Sequence, residues 1–297
     1  MAFELDAISA RVRALGREIS PQSIEGTAAL YAPFHEREPY REVEVSRDLT
    51  YGPDPRHRLD VFAPAKSGAG TRPVLLYVHG GGFVGGDKRT PGTPYQDNVA
   101  LWAVRHGLVG INMTYRLAPQ FTWPAGPQDV AAALAYVRTH VRDHGGDPER
   151  ITLMGTSAGA VHVASYIAHR EFHIPGGPGI AAAVLLSGIY DLPSAPRSPM
   201  HEAYFGTDSA TYRAASTLPG LLATRIPLLF VLTEMDPPDF QRQGLTLLTA
   251  WVAHHGRWPN FVHMLGHNHL SSTMHLNSPD AVLGDYVLDF IGTATPA

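Results

Sequence analysis

The chain has 297 residues, 44% of them hydrophobic and 17% charged, a balance that describes a globular protein with a substantial core and excludes disordered and fibrous classes. Its 23 basic and 27 acidic residues leave a net charge of -4, so nothing favours a nucleic-acid partner. The lack of cysteine removes disulfides, thiolate nucleophiles and cysteine-ligated metals. No apolar run approaches the roughly 18 residues of a membrane span, and the amino terminus lacks the apolar stretch of a signal peptide. A soluble, cytoplasmic protein without a membrane partner is expected.

In chain order, Leu5, Ile8, Val12, Leu15 and Ile19 recur at three- and four-residue intervals and predict a helix over 5–19. A second short helix is expected over 23–32, after Pro21 and closed by Pro33. Both precede any strand, so residues 1–40 read as a helical layer packed over something else. Alternating residues at 41–50 and a short run at 59–62 predict two strands at an exposed antiparallel edge, and 66–70 a surface turn.

Val74 to Val78 is continuously apolar or aromatic, as a strand buried on both faces would be, and it ends in His79-Gly80-Gly81-Gly82-Phe83. Successive glycines leave backbone N–H groups unobstructed, which suits holding an anion by main chain alone. Helix is then expected over 95–106, strand over 109–113 followed by Tyr115-Arg116-Leu117-Ala118-Pro119, and helix over 128–144. Next, Ile151 to Met154 reads as a strand that breaks at Gly155-Thr156-Ser157-Ala158-Gly159 before a helix over 160–170. A strand entering a sharp turn into a helix lifts a serine clear of the backbone, and the tight crossing leaves no room for side chains two residues before and after it. The following helix directs unpaired N–H groups back at the serine, the N–H of Ala158 among them.

A buried strand is expected over 181–186. From 187 to 225 periodicity is lost among Pro193, Pro196, Pro199 and Pro219, which predicts an irregular insertion over the carboxyl edge of the sheet. Strand at 227–232 ends in the acidic Glu234-Met235-Asp236-Pro237-Pro238-Asp239. Helix at 240–255, strand at 261–265, the segment Gly266-His267-Asn268-His269 and a closing helix at 279–291 complete the chain.

Three strand ends thus carry a serine, an acidic cluster and a pair of histidines, and in parallel sheets such ends converge on one site. A serine hydroxyl becomes a nucleophile when a histidine removes its proton, and a carboxylate fixes that histidine's tautomer. Asp236 is the preferred acid, because Asp239 falls where a helix cap is expected; Asp239 and Glu234 are the alternatives. For the base the segment offers His269 and His267, with His263 upstream, and the residues alone leave these open. His263, His267, His269 and His275 could also suggest a metal, but the segment has no H-E-x-x-H pattern and a serine site explains more of the chain; no metal or cofactor is expected.

HGGGF at 79–83, YRLAP at 115–119, GTSAG at 155–159, DPPD at 236–239 and the terminal GHNH, in this order, resemble the hormone-sensitive-lipase-like branch of the α/β-hydrolase esterases, with likeness also to feruloyl-esterase and arylformamidase relatives. The resemblance runs from about residue 40 to the end. It implies an α/β-hydrolase fold in a single domain over 1–297: a mostly parallel central sheet flanked by helices, capped by the helices of 1–40 and the 187–225 insertion. It further implies a Ser157–His269–Asp236 triad and an oxyanion hole from Gly81, Gly82 and Ala158. Two departures stand out: Thr156 replaces the more usual acidic or amide residue before the nucleophile, and 266–271 reads GHNHLS where His-Gly-Phe is more typical.

The expected activity is hydrolysis of small acyl or aryl esters with water, by a serine carboxylesterase. Cleavage of formamides or amides by the same residues is the alternative, and a non-catalytic binding protein on this fold the third reading. Phe83, Trp102, Tyr115, Phe121, Trp123, Tyr190, Tyr204 and Phe205 lie in or near loops that could border the pocket, with Phe83, Trp123, Tyr190 and Tyr204 as the chosen wall. An edge strand or the last helix could pair two subunits into a homodimer.

Overall fold

The computed structural model describes residues 2–66 and 70–294, residues 2–5 by backbone alone. The side chain of Leu5, most of the expected turn at 66–70 and the tail 295–297 lie outside the described residues. The elements are α1 (Ala2–Leu15), α2 (Pro21–Tyr31), β1 (Val43–Thr50), β2 (Arg58–Pro64), β3 (Arg72–Val78), α3 (Asp97–Arg105), β4 (Val109–Met113), α4 (Ala125–His140), β5 (Gly146–Thr156) and α5 (Ala158–Ala168). They continue with β6 (Ala182–Leu186), α6 (Pro199–Phe205), α7 (Ser209–Ala215), α8 (Leu218–Ala223), β7 (Leu228–Met235), α9 (Pro238–His255), β8 (Asn260–Asn268), α10 (Ser271–Met274) and α11 (Gly284–Ala294).

The eight strands form one sheet in the order β1-β2-β4-β3-β5-β6-β7-β8, antiparallel at β1/β2 and β2/β4 and parallel from β4 to β8. Helices cover both faces, and β3 shows how the sequence achieves this. Val74, Leu76 and Val78 point to the layer of α4 and α5, where Val130, Leu134, Val137, Val163 and Ile167 pack. Leu75 and Tyr77 point the other way, to Val99 and Trp102 of α3 and Val287 and Ile291 of α11. Side chains alternate along a strand, so a strand buried on both faces reads as an unbroken apolar run. This is the α/β-hydrolase architecture expected from the sequence.

Only β1 forms the exposed edge that was expected of β1 and β2 together. β2 is paired on both edges, by β1 and β4, and its side chains are covered on both faces, Leu59 and Val61 in the core with α4 and Phe62 against α3. The first helix stops at Leu15, short of the expected end. Gly16 adopts φ +78°, turning the chain out of the helix and leaving Ile19 47% exposed. Ile8 and Val12 bury against Leu30 and Tyr31 of α2, so the two N-terminal helices form one unit, which caps the sheet. A capping box starts α2: Ser20 Oγ accepts from the N–H of Ser23, and Ser23 Oγ accepts from the N–H of Ser20.

The 187–225 segment is a correction to the irregular insertion expected, since it holds three short helices, α6 to α8. None exceeds seven residues, too few turns for an apolar period to show. Two of the four prolines that read as breakers stand in their first turns, where a missing N–H is harmless: Pro199 after the cap Ser198, and Pro219 in α8. Likewise the short α10 was not foreseen, β8 runs three residues further than expected, and α11 begins at Gly284 where helix was expected from 279.

The unit formed by α1 and α2 is tied to the site end of the sheet by Glu234. Arg13 Nε and Nη2 donate to its carboxylate at 3.0 and 2.8 Å, and the N–H of Gly266 donates at 2.6 Å. The Arg13 bond first, then the Gly266 N–H, hold the Glu234 carboxyl down at about 2, against an ordinary 4.5. A carboxylate depressed in the folded state contributes its full stability above the ordinary value and loses it as pH falls toward the depressed one. The urea midpoint is therefore expected to fall between pH 4.5 and about 2. In Arg13→Ala this acid-dependent part shrinks; an unchanged pH slope would count against the linkage.

Candidate active site

β5 delivers Ser157 at its carboxyl end. The residue adopts φ +53°, ψ −121°, a conformation rare for any side chain other than glycine, between the strand and α5. The two flanking glycines are explained by distance. A β-carbon on Gly159 would stand 2.1 Å from the carbonyl oxygen of Val78, and one on Gly155 would stand 2.5 Å from that of Gly159. Gly80, at the end of β3, backs directly onto the serine, since a β-carbon there would lie 3.2 Å from Ser157 Cβ. The methyl of Thr156 packs against the same spot, filling behind the loop the position where the sequence departs from the resembled pattern.

The loop after β3 is folded on itself by bonds from the N–H groups of Val84 and Gly85 to the carbonyl of Gly81, at 3.2 and 3.0 Å. Gly81 and Gly82 adopt φ of +132° and +59°, and their N–H groups donate to no described residue. Ala158 opens α5, so its N–H has no acceptor within the helix. The loop is braced from behind. His79 is fully buried, its Nδ1 2.6 Å from the carbonyl of Gly80, and its ring stacks on Tyr115 at 4.4 Å. Burial pushes His79 down to about 4, so it is neutral at pH 7 and serves as packing and a brace.

The YRLAP segment supplies the rest of that brace. Tyr115 donates its hydroxyl to the carbonyl of His79 at 2.9 Å, and Arg116 binds the buried Asp129 of α4 through its backbone N–H and its Nε at 2.7 and 2.8 Å.

Asp236 and His269 come together from the ends of β7 and β8. His269 Nδ1 lies 2.6 Å from Asp236 Oδ1, with both side chains buried. The other oxygen of Asp236 accepts from the Ser187 hydroxyl and the Thr233 N–H, each at 2.7 Å. The carboxylate is therefore fixed by three bonds, and because a carboxylate only accepts, Nδ1 of His269 is the donor in its bond to Asp236. Its Nε2 is buried and bonds to no described residue, and the ring of Phe240 lies 4.5 Å away. Nor does the Ser157 hydroxyl bond to a described residue. Ser187, the first residue after β6, escaped the sequence reading; a hydroxyl at the end of a neighbouring strand was the available signal.

The alternatives lie elsewhere. Asp239 is half-buried in the first turn of α9 and pairs with the exposed Arg242, and Glu234 holds Arg13. His263 is exposed on β8. His267 pairs with Asp280, its Nε2 3.3 Å from Oδ2.

Phe83 and Tyr204 stack in parallel at 4.7 Å within a buried cluster that includes Ala158, Val161, Ile189, Leu192 and Phe205, with Trp123 packed against it. Tyr190 belongs to a different group, meeting Phe230 at 5.7 Å in the main core, and Trp102 lies beneath the opposite face of the sheet. Helix α6 lies over the glycine loop, where a β-carbon on Gly82 would stand 2.3 Å from the sulfur of Met200. Among the described residues, no helix is long and apolar enough to cross a membrane.

Comparison with known proteins agrees with this architecture. Esterase LipQ of Mycobacterium tuberculosis is 33% identical over 69% of this chain and 49% of its own length, and the probable carboxylic ester hydrolase LipM of the same organism is 34% identical over 56% and 39%. The chain thus spans about half the length of LipQ, and less of LipM. Among solved structures, esterase B from Lactobacillus Rhamnosis superposes with a TM-score of 0.69 at 22% identity, covering 99% of this chain and 96% of its own. An esterase of the bacterial hormone-sensitive lipase family superposes at 0.68 and 22%, covering 99% of each. A family profile described as the alpha/beta hydrolase fold matches residues 75–227, just over half of the chain and the span from β3 through the serine turn to the insertion. With the sheet order, the glycine loop and the strand–serine–helix turn all present, the chain belongs to the alpha/beta-hydrolase fold family.

Proposed function

We propose that the protein is a serine carboxylesterase that hydrolyses small acyl or aryl esters. The observation that carries this reading is the 2.6 Å bond between His269 and Asp236 on the sheet end that also presents Ser157 in a positive-φ turn. In this reading His269 Nε2 takes the Ser157 proton as the hydroxyl attacks the ester carbonyl, through a hydrogen bond that forms as substrate fills the site. Asp236 holds the imidazole and stabilises its cation. The N–H groups of Gly81, Gly82 and Ala158 receive the negative charge that develops on the carbonyl oxygen. His269 then protonates the leaving alcohol, and water attacks the acyl-enzyme by the same route.

An ester is favoured over a formamide or amide because the relatives are described as esterases or ester hydrolases. A small acyl or aryl group is favoured because Phe83, Tyr204, Ile189 and Leu192 fill the space beside Ala158, and Met200 covers Gly82. A fluorophosphonate should label the intact protein at one site, Ser157, with Ser157→Ala unlabelled and hydrolysis of p-nitrophenyl butyrate lost in step with labelling. Absence of labelling in the folded protein sinks the proposal.

A further inference from the structure

Directly beneath the turn that carries His269 lies a second hydroxyl–imidazole–carboxylate array, made of Ser271, His267 and Asp280. His267 Nδ1 stands 3.1 Å from Ser271 Oγ and its Nε2 3.3 Å from Asp280 Oδ2. His267 is 2% exposed and Ser271 fully buried, so no substrate reaches this array and it is not a second active site. Tyr31, the last residue of α2, stacks on the His267 ring and donates its hydroxyl to Asp280 Oδ2 at 3.4 Å. His275 also meets this ring, at 4.8 Å, and its own ring lies 6.4 Å from that of Tyr31. Burial raises the Asp280 carboxyl, but the His267 bond and the neighbouring histidines outweigh it and bring the carboxyl down to about 2, so the pair is charged on the acid side at neutral pH.

The turn above needs such support, because the sheet stops supplying it. The register between β7 and β8 breaks between Thr233 and Met235, where Gly266 adopts φ +79°, and a single pair, Met235 with Asn268, lies beyond the break. β8 is also the edge of the sheet, with no strand beyond it among the described residues. From there side chains take over. Ser271 Oγ accepts the N–H of Asn268 at 2.9 Å. Asn268 Oδ1 accepts the N–H groups of Leu270 and Ser271 at 3.1 and 2.9 Å, and its Nδ2 donates to Thr27 of α2 at 2.9 Å. The Ser272 hydroxyl donates to the carbonyl of His269 at 2.7 Å.

We infer that His267 and Asp280 are positioning residues for His269: through Ser271 they clamp the 268–272 turn, and through Tyr31 they tie it to α2, holding the imidazole against Asp236 in its reacting place. The inference rests on His269 being the general base of the proposed esterase. It gives the α1–α2 unit a part in the chemistry beyond covering the site, and it gives the GHNHLS departure a purpose, since His267, Asn268 and Ser271 are the residues that form the clamp.

The test compares Asp280→Asn and Ser271→Ala with the wild-type chain on p-nitrophenyl butyrate, with kcat divided by the number of Ser157 sites titrated with fluorophosphonate. A displacement of the base by about 1 Å costs on the order of 10–100-fold in rate, so kcat per titrated site should fall by that factor while KM stays within about threefold. Val130→Ala, a cavity in the core away from the turn, is the control for general destabilisation; it should lower the melting temperature without changing kcat per site. If Asp280→Asn does not fold, Ser271→Ala, which removes a single hydroxyl, decides by the same measure. Wild-type kcat per site in the folded variant, or an equal loss in Val130→Ala, overturns the inference. Failure of the wild-type protein to label at Ser157 overturns the esterase reading beneath it, and is seen before any variant is made.

Discussion

Asp236→Asn should lower kcat for p-nitrophenyl butyrate by roughly 10⁴-fold, the loss typical when the acid of a serine–histidine–acid site is made an amide. The geometry explains why so small a change should do so much. One carboxylate oxygen receives the Nδ1 proton of His269 at 2.6 Å, while the other already accepts from Ser187 and Thr233. All three partners are donors, and an amide offers only one acceptor oxygen. If the asparagine oxygen stays with Ser187 and Thr233, its NH₂ faces His269 and forces the ring into the tautomer with the proton on Nε2, which cannot accept from Ser157. If it flips, two buried donors lose their partner. KM should change little, because nothing that contacts substrate moves. Asp239→Asn is the matched control: Asp239 is bonded to the exposed Arg242 and not to His269, so kcat should stay within about twofold. A dead Asp239 variant beside an active Asp236 variant would transfer the role.

Much of this was legible in the sequence because the decisive signals are local. The run from Val74 to Val78 and the GTSAG turn report constraints that act within a few residues: burial on both sheet faces, and a crossing tight enough that a β-carbon on Gly159 would meet the Val78 carbonyl. The helices of 199–223 were illegible for the opposite reason. They are too short to show a period, and their stability comes from what they pack on, as Tyr204 does on Phe83. Ser187 and Asp280 were missed because a hydrogen bond made 49 or 13 residues away leaves no pattern in either stretch. The two histidines of GHNH are told apart in the structure by the acid each one meets, Asp280 for His267 and Asp236 for His269, and by the free Nε2 of His269, none of which shows in the spacing of the segment.

Gly81→Ala should lower kcat by about 10²–10³-fold, the cost of losing one donor to the oxyanion, with the fold retained. A β-carbon at Gly81 would stand 2.1 Å from the carbonyl oxygen of Gly85, far inside contact distance, on a backbone at φ +132° that alanine resists. The loop must open where the N–H groups of Val84 and Gly85 now close it on the Gly81 carbonyl, and the N–H groups of Gly81 and Gly82 turn with it. The sheet has no reason to follow, since the pairing of β3 with β4 and β5 ends at Val78. Circular dichroism and the melting temperature should therefore stay near wild type while turnover collapses, and KM should move far less than kcat, because the lost interaction is made in the transition state. Gly92→Ala separates backbone strain from oxyanion chemistry: Gly92 also has a positive φ, +76°, but a β-carbon there meets nothing within 4 Å, and its carbonyl is engaged by Arg37 in a different loop. That variant should keep kcat within about twofold. If folded Gly81→Ala did so too, the charge developing on the carbonyl oxygen would have to be held by other donors, and the 80–86 loop would lose its place in the mechanism.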